Sequence, residues 1–237
     1  MATIYAGTSG WAYPGWRPDF YPAKLGSAKF LAYYASRLNS VEVNYTFRIL
    51  PTKNLLEDWL EATPPNFLFA VKAHQGITHF KRLRGAVAAT SKFIASLKPL
   101  HKAGKLGPLL FQLPPNFKCD LPLLEKFLPG IPRHLRAAFE FRHPSWFTEE
   151  VFAALRKANV ALCLAESEKL ETPEVQTADF CYLRLRKDNY SPRARKELAT
   201  KIARLARQGD VFLYFKHEDT PEGALHAERL LSPGTSR

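Results

Sequence analysis

A single (β/α)8 barrel spanning residues 1–237 is the fold the sequence predicts, and three observations carry that expectation. Eight short apolar runs rich in β-branched and aromatic residues recur along the chain. Helix-period segments separate most of them. No linker, low-complexity tract or composition break divides the chain, and such alternation over about 240 residues is the spacing of a βα barrel. A doubly wound open sheet is the alternative. It leaves two strands without a role, and no G-x-G-x-x-G follows the first strand.

Taken in order, the predicted strands are residues 3–8, 40–47, 67–74, 107–113, 137–142, 160–167, 180–186 and 211–218. After the first, Ala28, Leu31, Ala32, Ala35 and Leu38 share one helix face, with Ser27 as the expected N-cap. Leu55, Leu56, Trp59 and Leu60 make the next face, which Pro64–Pro65 stops. Phe93, Ile94, Leu97 and Leu100 form the third, with Pro99 expected to kink its end. Asp120 opens a short helix through Leu124, Phe127 and Leu128. Thr148 is the expected cap of the helix after strand five, whose first turn carries Glu149 and Glu150 at the positive end of the dipole. Residues 168–178, polar and interrupted by Pro173, are the weakest link. Ser191–Pro192 opens the helix of Leu198, Ile202 and Leu205, and Gly209 ends it.

Hydrophobic residues make up 46% of the chain, which predicts a packed core and excludes general disorder. No apolar run approaches the roughly 18 residues that span a bilayer, and MATIYAGTSGW has no signal-peptide pattern. A cytoplasmic protein with no membrane partner is therefore expected. The net charge of +12 favours an anionic small molecule or nucleic acid as partner. Cys119, Cys163 and Cys181 are odd in number and lack C-x-x-C spacing; Cys163 and Cys181 read as small buried thiols. Nothing in the sequence sets an oligomeric state.

Along the predicted strands the polar residues keep one parity. Glu42 and Asn44 share it on strand two, Lys72 and His74 on strand three, Gln112 on strand four, Glu140 and Arg142 on strand five, Arg184 and Arg186 on strand seven, and Lys216 and Glu218 on strand eight. The alternate positions, including Val41, Val43, Val71, Phe111, Phe139, Phe141, Leu183 and Phe215, are apolar. Side chains alternate across a strand. The apolar set therefore faces the helices, and the polar set faces the interior near the C-terminal mouth, where barrel active sites are built. Few inward acids meet four or more bases, which leaves positive charge for an outside anion. A buried ion network filling the barrel is the competing reading; it is expensive, because each buried ion must be paired.

His74, His79, Glu140, His143, Glu166, His217 and Glu218 are possible metal ligands, but no tight motif such as H-E-x-x-H joins them and the neighbouring cations repel a divalent ion. No tightly held metal and no cofactor are expected. The loop GWAYPGWRPDFYPAK is dense in aromatics. Trp11 and Trp16 are read as a stacking wall over the mouth, against a packing lid as the alternative. HQGITHFKRLRG adds His79, Lys81, Arg82 and Arg84, and the basic stretch from Arg184 to Arg207 reads mostly as a solvated helix face.

GTSGWAYPGW, SVEVNYTF, FAVKAHQGITHFKRL, FQLPPNF and FEFRHPSWF follow one another in this order. Together they resemble the YecE-like proteins, the family called domain of unknown function 72. The resemblance runs from strand one to about strand six, then weakly to the end, and implies a (β/α)8 barrel; it supplies no established reaction. Its motif residues here are Trp11, Glu42, Asn44, Lys72, His79, Glu140, Arg142, His143 and Trp146. Two stretches depart from the pattern. Lys216 and His217 stand where many relatives resemble F-N-N, and Arg186 stands where R-x-H-G is more familiar. The family's fold is similar to that of metal-dependent endonucleases and sugar isomerases, an analogy of fold alone.

These readings converge on an enzyme or enzyme-derived binder, a hydrolase or lyase in type, with one site at the mouth for a phosphate-bearing ligand. Arg142, Arg184 and Lys216 are assigned to the anion, with Trp11, Trp16, Asn44, Gln112 and His143 also lining the substrate. Glu42 or Glu140 is assigned as general base. Lys72 is an electrostatic stabiliser or, with a depressed pKa, an imine-forming nucleophile, and His79 and His143 are proton carriers. The alternatives are a metal-dependent phosphodiesterase or endonuclease, and a noncatalytic nucleic-acid-binding protein.

Overall fold

The computed structural model describes residues 2–166, 170–187, 190–216 and 219–232. Eight parallel strands form a nearly closed barrel: β1 Ile4–Thr8, β2 Ser40–Val43, β3 Leu68–Lys72, β4 Leu106–Gln112, β5 Ala137–Glu140, β6 Ala161–Ala165, β7 Phe180–Leu185 and β8 Asp210–Phe215. Their neighbour order, β1-β8-β7-β6-β5-β4-β3-β2, is that of a ring opened only between β1 and β2. The helices are α1 Phe30–Arg37, α2 Lys53–Glu61, α3 Val87–Ser96, α4 Lys98–Lys102, α5 Leu121–Phe127, α6 Glu149–Ala158, α7 Pro192–Leu205 and α8 Glu222–Leu231.

Side chains largely replace the ladder at the β1–β2 seam. Asn39 accepts from the Ala6 amide (2.9 Å) and donates to the Ile4 carbonyl (2.8 Å). The Tyr34 hydroxyl accepts from the Thr8 amide (2.8 Å) and donates to the Ser40 carbonyl (3.1 Å). The strands approach so closely that a Cβ on Gly7 would lie 1.9 Å from the Ser40 carbonyl oxygen, so only glycine fits there. One parallel bridge, Ser9 to Glu42, completes the seam and sets Ser9 beside an inward carboxylate.

The alternation read from the sequence holds. Val41, Val43, Val71, Ala73, Phe111, Phe139, Phe141, Leu183, Leu185 and Phe215 join the core between sheet and helices. Ala70, Leu110, Ala138, Cys163, Phe180, Tyr182, Phe212 and Tyr214 fill the barrel's interior. Small residues on β3, β5 and β6 make room for the large rings of β7 and β8, so the barrel is filled rather than hollow.

Several local expectations change. Strand two ends at Val43, because Asn44 turns helical (φ −94°, ψ −14°) and Tyr45–Phe47 forms a 3-10 turn. Thr46 Oγ1 fixes that turn by donating to the Lys72 carbonyl (2.7 Å), which swings Phe47 towards β3. Ser27 begins a 3-10 turn ahead of α1 and its side chain caps nothing. Pro99 does more than kink a helix: the chain breaks at Leu97 and restarts as α4 with Pro99 in its first turn. Thr148 holds the N-cap position of α6 without a capping bond to a backbone amide, whereas Thr52, Asp120 and Ser191 each accept one. The described part of the β6–β7 link, residues 170–178, contains no helix.

Candidate functional site

The polar layer sits where the inward faces of β2, β4, β5 and β7 emerge from the packed interior. Glu42 and Glu140 are 0% and 1% exposed, and Arg184 is 2% exposed between them. One Arg184 nitrogen donates to Glu42 Oε1 (2.7 Å); another donates to Glu140 Oε2 (2.6 Å) and to Gln112 Oε1 (3.2 Å). Glu42 also accepts from Ser9 Oγ (2.8 Å), the Tyr182 hydroxyl (2.8 Å) and Asn44 Nδ2 (3.3 Å). Glu140 Oε1 accepts from Arg142 Nε and from an Arg186 terminal nitrogen, both at 2.8 Å. This network is tolerable only because all four carboxylate oxygens are bonded.

The electrostatics follow from that pairing. Burial raises the Glu140 pKa, but Arg184, Arg186 and Arg142 outweigh it and hold the carboxyl well below the usual range. Glu42 is lowered too, against burial, by Arg184 and by the Ser9 and Tyr182 hydrogen bonds. For Arg184, burial opposes the charge, while Glu42 and Glu140 keep it firmly protonated.

Lys72 lives differently. It closes β3, half-buried, with its ammonium 4.2 Å from the centre of the Phe47 ring. Among the described residues it makes no ion pair, because Glu42 and Glu140 are taken by arginines. Its pKa falls to about 8: burial is the largest cause, Arg184 and Arg142 add repulsion, and Glu42 and Glu140 oppose the fall. His79 meets the same Phe47 ring edge-on at 4.9 Å and contacts Thr78 Oγ1 through Nδ1 (2.9 Å). Burial lowers its pKa, and Lys72, Arg142 and Arg82 lower it further, so its imidazole is neutral at pH 7. The loop that supplies His79 is unusual: Gly76–Phe80 is a π-helical turn, and Arg82 and Leu83 are left-handed at φ 46° and 69°. Such conformations cost about 1–3 kcal/mol each and cluster at functional sites. Phe80, on this rim, is 74% exposed.

A cavity of about 200 Å³ is lined by Glu140, Arg142, Thr172, Arg186 and neighbouring apolar groups, and not by Lys72 or His79. Arg142 and Arg186 each give one donor to Glu140 Oε1, and Arg186 Nε is buried without a partner among the described residues.

The structure thus brings Glu42, Asn44, Lys72, His79, Gln112, Glu140, Arg142 and Arg184 to one mouth. Others lie apart. Trp16 is fully buried, packed against Tyr13, Phe20 and Tyr21, and Tyr21 in turn stacks on Phe30 of α1. The stacking-wall expectation is corrected for Trp16, since the ring is fully buried in a packed aromatic plug and has no face left for a ligand. Trp11 is half-buried, edge-on to Trp59 of α2 at 5.3 Å. His143 closes the turn after β5: its Nδ1 accepts from the Ser145 amide (3.2 Å) and contacts Ser145 Oγ (2.8 Å). Trp146 is buried and donates to the Phe117 carbonyl (2.7 Å). His74, despite its parity, contacts the Arg48 carbonyl and accepts from Gly76 N. Glu166 accepts from the Arg186 amide (2.9 Å) and from Tyr190. Lys216 is exposed just beyond β8 and takes no part in the described network. His217 and Glu218 lie outside the described residues. The α7 cations face solvent, in pairs such as Arg193–Glu197 (2.8 Å).

Ser9, Tyr182, Phe47 and Arg186 also belong to the site, although the sequence alone assigns none of them a role there. Tyr182 and Arg186 share the parity of Arg184, a usable signal. Ser9 enters through the seam and Phe47 through the turn at Asn44, which no periodicity reports.

A nearly closed βα barrel with a charged, partly unsatisfied mouth is the class these features define. The sequence profile described as "Protein of unknown function DUF72" matches residues 5–234, and the chain belongs to that family. It is similar to the UPF0759 protein YunF of Bacillus subtilis (strain 168), 36% identical over 61% of this chain and 52% of YunF. It is also similar to the UPF0759 protein YecE of Escherichia coli (strain K12), 33% identical over 62% of this chain and 51% of YecE. The chain spans about half the length of the curated relatives it matches. A DUF72 family protein of Thermotoga maritima superposes with a TM-score of 0.86 at 27% identity, covering 96% of this chain and 97% of that one. An AP endonuclease, family 2, from Brucella melitensis superposes at 0.54 with 11% identity over 95% and 97% of the two chains, a likeness of fold alone. Among the described residues no helix is long and apolar enough to cross a membrane, and no three His, Cys, Asp or Glu side chains group as metal ligands.

Proposed function

We propose that the mouth binds a small phosphate-bearing molecule and works as a lyase or hydrolase site. One observation carries this reading: Arg142 and Arg186 share a single carboxylate oxygen, line the same 200 Å³ cavity, and keep donors unspent among the described residues. Guanidiniums with free donors suit an oxyanion, which accepts from several N–H groups at once. Lys72 adds a cation that no described acid neutralises.

The roles differ from those first assigned. Glu42 and Glu140 are poor bases, because cations hold both ionised and occupy their oxygens. They act as counter-ions that fix the arginines, and Arg184 joins the floor instead of gripping the ligand. His79, neutral among cations, is the better proton carrier. Asn44, whose Oδ1 is buried without a partner among the described residues, suits the positioning of a polar group of the ligand.

Exposed Phe80 and Tyr45 support a second reading, in which the rim also stacks bases of an extended nucleic acid. Calorimetric titration with inorganic phosphate, beside oligonucleotide binding across a salt series, separates the two. Saturable phosphate binding that weakens in Arg142→Ala supports the small-ligand site. No phosphate binding, with oligonucleotide affinity falling steeply in salt, transfers the proposal to nucleic acid.

A further inference from the structure

We propose that Lys72 is a covalent nucleophile that forms an imine with a short phosphorylated aldehyde or ketone whose phosphate sits between Arg142 and Arg186. This deepens the phosphate reading and rests on it. Geometry comes first. Lys72 ends β3 on the inward face, at the strand ends where barrel chemistry is built. Its ammonium leans on Phe47 rather than on a carboxylate, and both nearby acids are committed to arginines. A lysine meant to hold charge is ordinarily given an acid. This one is given a ring, a half-buried site and two repelling guanidiniums.

The chemistry fits that placement. With a pKa of about 8, roughly one Lys72 side chain in ten carries a lone pair at pH 7, against fewer than one in a thousand for an ordinary lysine. The neutral amine attacks the carbonyl carbon and forms the C–N bond as the carbonyl electrons move onto oxygen. Proton transfer from nitrogen to oxygen gives the carbinolamine. Loss of its hydroxyl as water, with the remaining N–H proton released, leaves the neutral imine, and the balance is amine plus carbonyl to imine plus water. His79, neutral and on the same ring, is placed to take the ammonium proton and return it to the leaving hydroxyl. The cavity of about 200 Å³ admits the phosphate, and because Lys72 is not among the residues that line it, the carbonyl end reaches out past Arg142, which is near enough to repel Lys72, towards the amine.

The test is reductive trapping on the full chain. The protein is incubated with glyceraldehyde 3-phosphate or with unphosphorylated glyceraldehyde, reduced with sodium borohydride, digested and mapped by peptide mass spectrometry. Lys72 is expected to carry the reduced adduct at about tenfold or more above any other lysine, in line with its larger neutral fraction. Excess inorganic phosphate should suppress the label, and Lys72→Arg should lose it while melting as the parent does. Equal labelling by the two aldehydes at Lys72 would keep the nucleophile and overturn the phosphate site. Label spread over surface lysines, with phosphate still bound in calorimetry, would overturn the imine and leave the anion site standing.

Discussion

Arg184 and Lys72 share one barrel mouth and are treated oppositely by the fold. Arg184 is sealed between Glu42 and Glu140, which use both of its terminal nitrogens, and its Nε alone is without a partner among the described residues. Lys72, on β3, is left half-buried against Phe47 with no described acid. The difference teaches where stability ends and binding begins. A buried charge held between two carboxylates of the chain belongs to the architecture, whereas a charge with no described acid is positioned for something outside.

The largest expected effect strikes the floor. Arg184→Met leaves two buried carboxylates facing each other without their shared cation, and stability should fall by about 3–5 kcal/mol in denaturant melts. A loss below about 1 kcal/mol would mean that Arg142 and Arg186 suffice as counter-ions. Acid probes the same layer without mutation. Glu42 and Glu140 bind protons more weakly folded than unfolded. Their stabilisation is therefore complete above the ordinary carboxylate range and erodes as pH falls below about 4 towards the folded values. Melting temperature followed from pH 7 to pH 2 should drop steeply only in that low window; a flat profile would contradict the pairing.

Arg142→Lys tests the boundary between the two regions. The charge beside Glu140 remains while the planar two-donor fork is lost, so phosphate affinity should weaken by about 1–3 kcal/mol and stability should change much less. A variant that melts several degrees lower yet binds phosphate as the parent does would move Arg142 into the floor. The smallest effect belongs to Lys72→Met. Lys72 loses its proton more readily folded than unfolded, so between about pH 8 and the ordinary lysine value stability rises with pH, and its charge is a burden below that. Removing the charge should leave the melting temperature unchanged or raise it, while anion binding falls. A clear loss of stability would show that Lys72 is structural.

The sequence made the barrel legible because period-two parity and strand–helix alternation are local properties. Glu42, Glu140, Arg142 and Arg184 could be placed on the inward face from parity alone. What stayed hidden depends on contacts across the chain. The pairing of Arg184 with Glu42 joins residues far apart in sequence, and it turned an expected base into a counter-ion. Trp16 looked like a ligand wall because an aromatic loop reads the same whether it packs inward or faces a site. Phe47, the ring under Lys72, was hidden by the turn at Asn44, where a β-favouring run gives way to a 3-10 turn.

The claim that the mouth holds an oxyanion beside Lys72 is tested most directly by a crystal structure of the protein grown in phosphate. Tetrahedral density is expected in the cavity of Glu140, Arg142, Thr172 and Arg186, within hydrogen-bonding distance of both cavity guanidiniums, with Lys72 still free of any described carboxylate. Density confined to the solvent-facing cations of α7, with ordered water alone in the cavity, would contradict it.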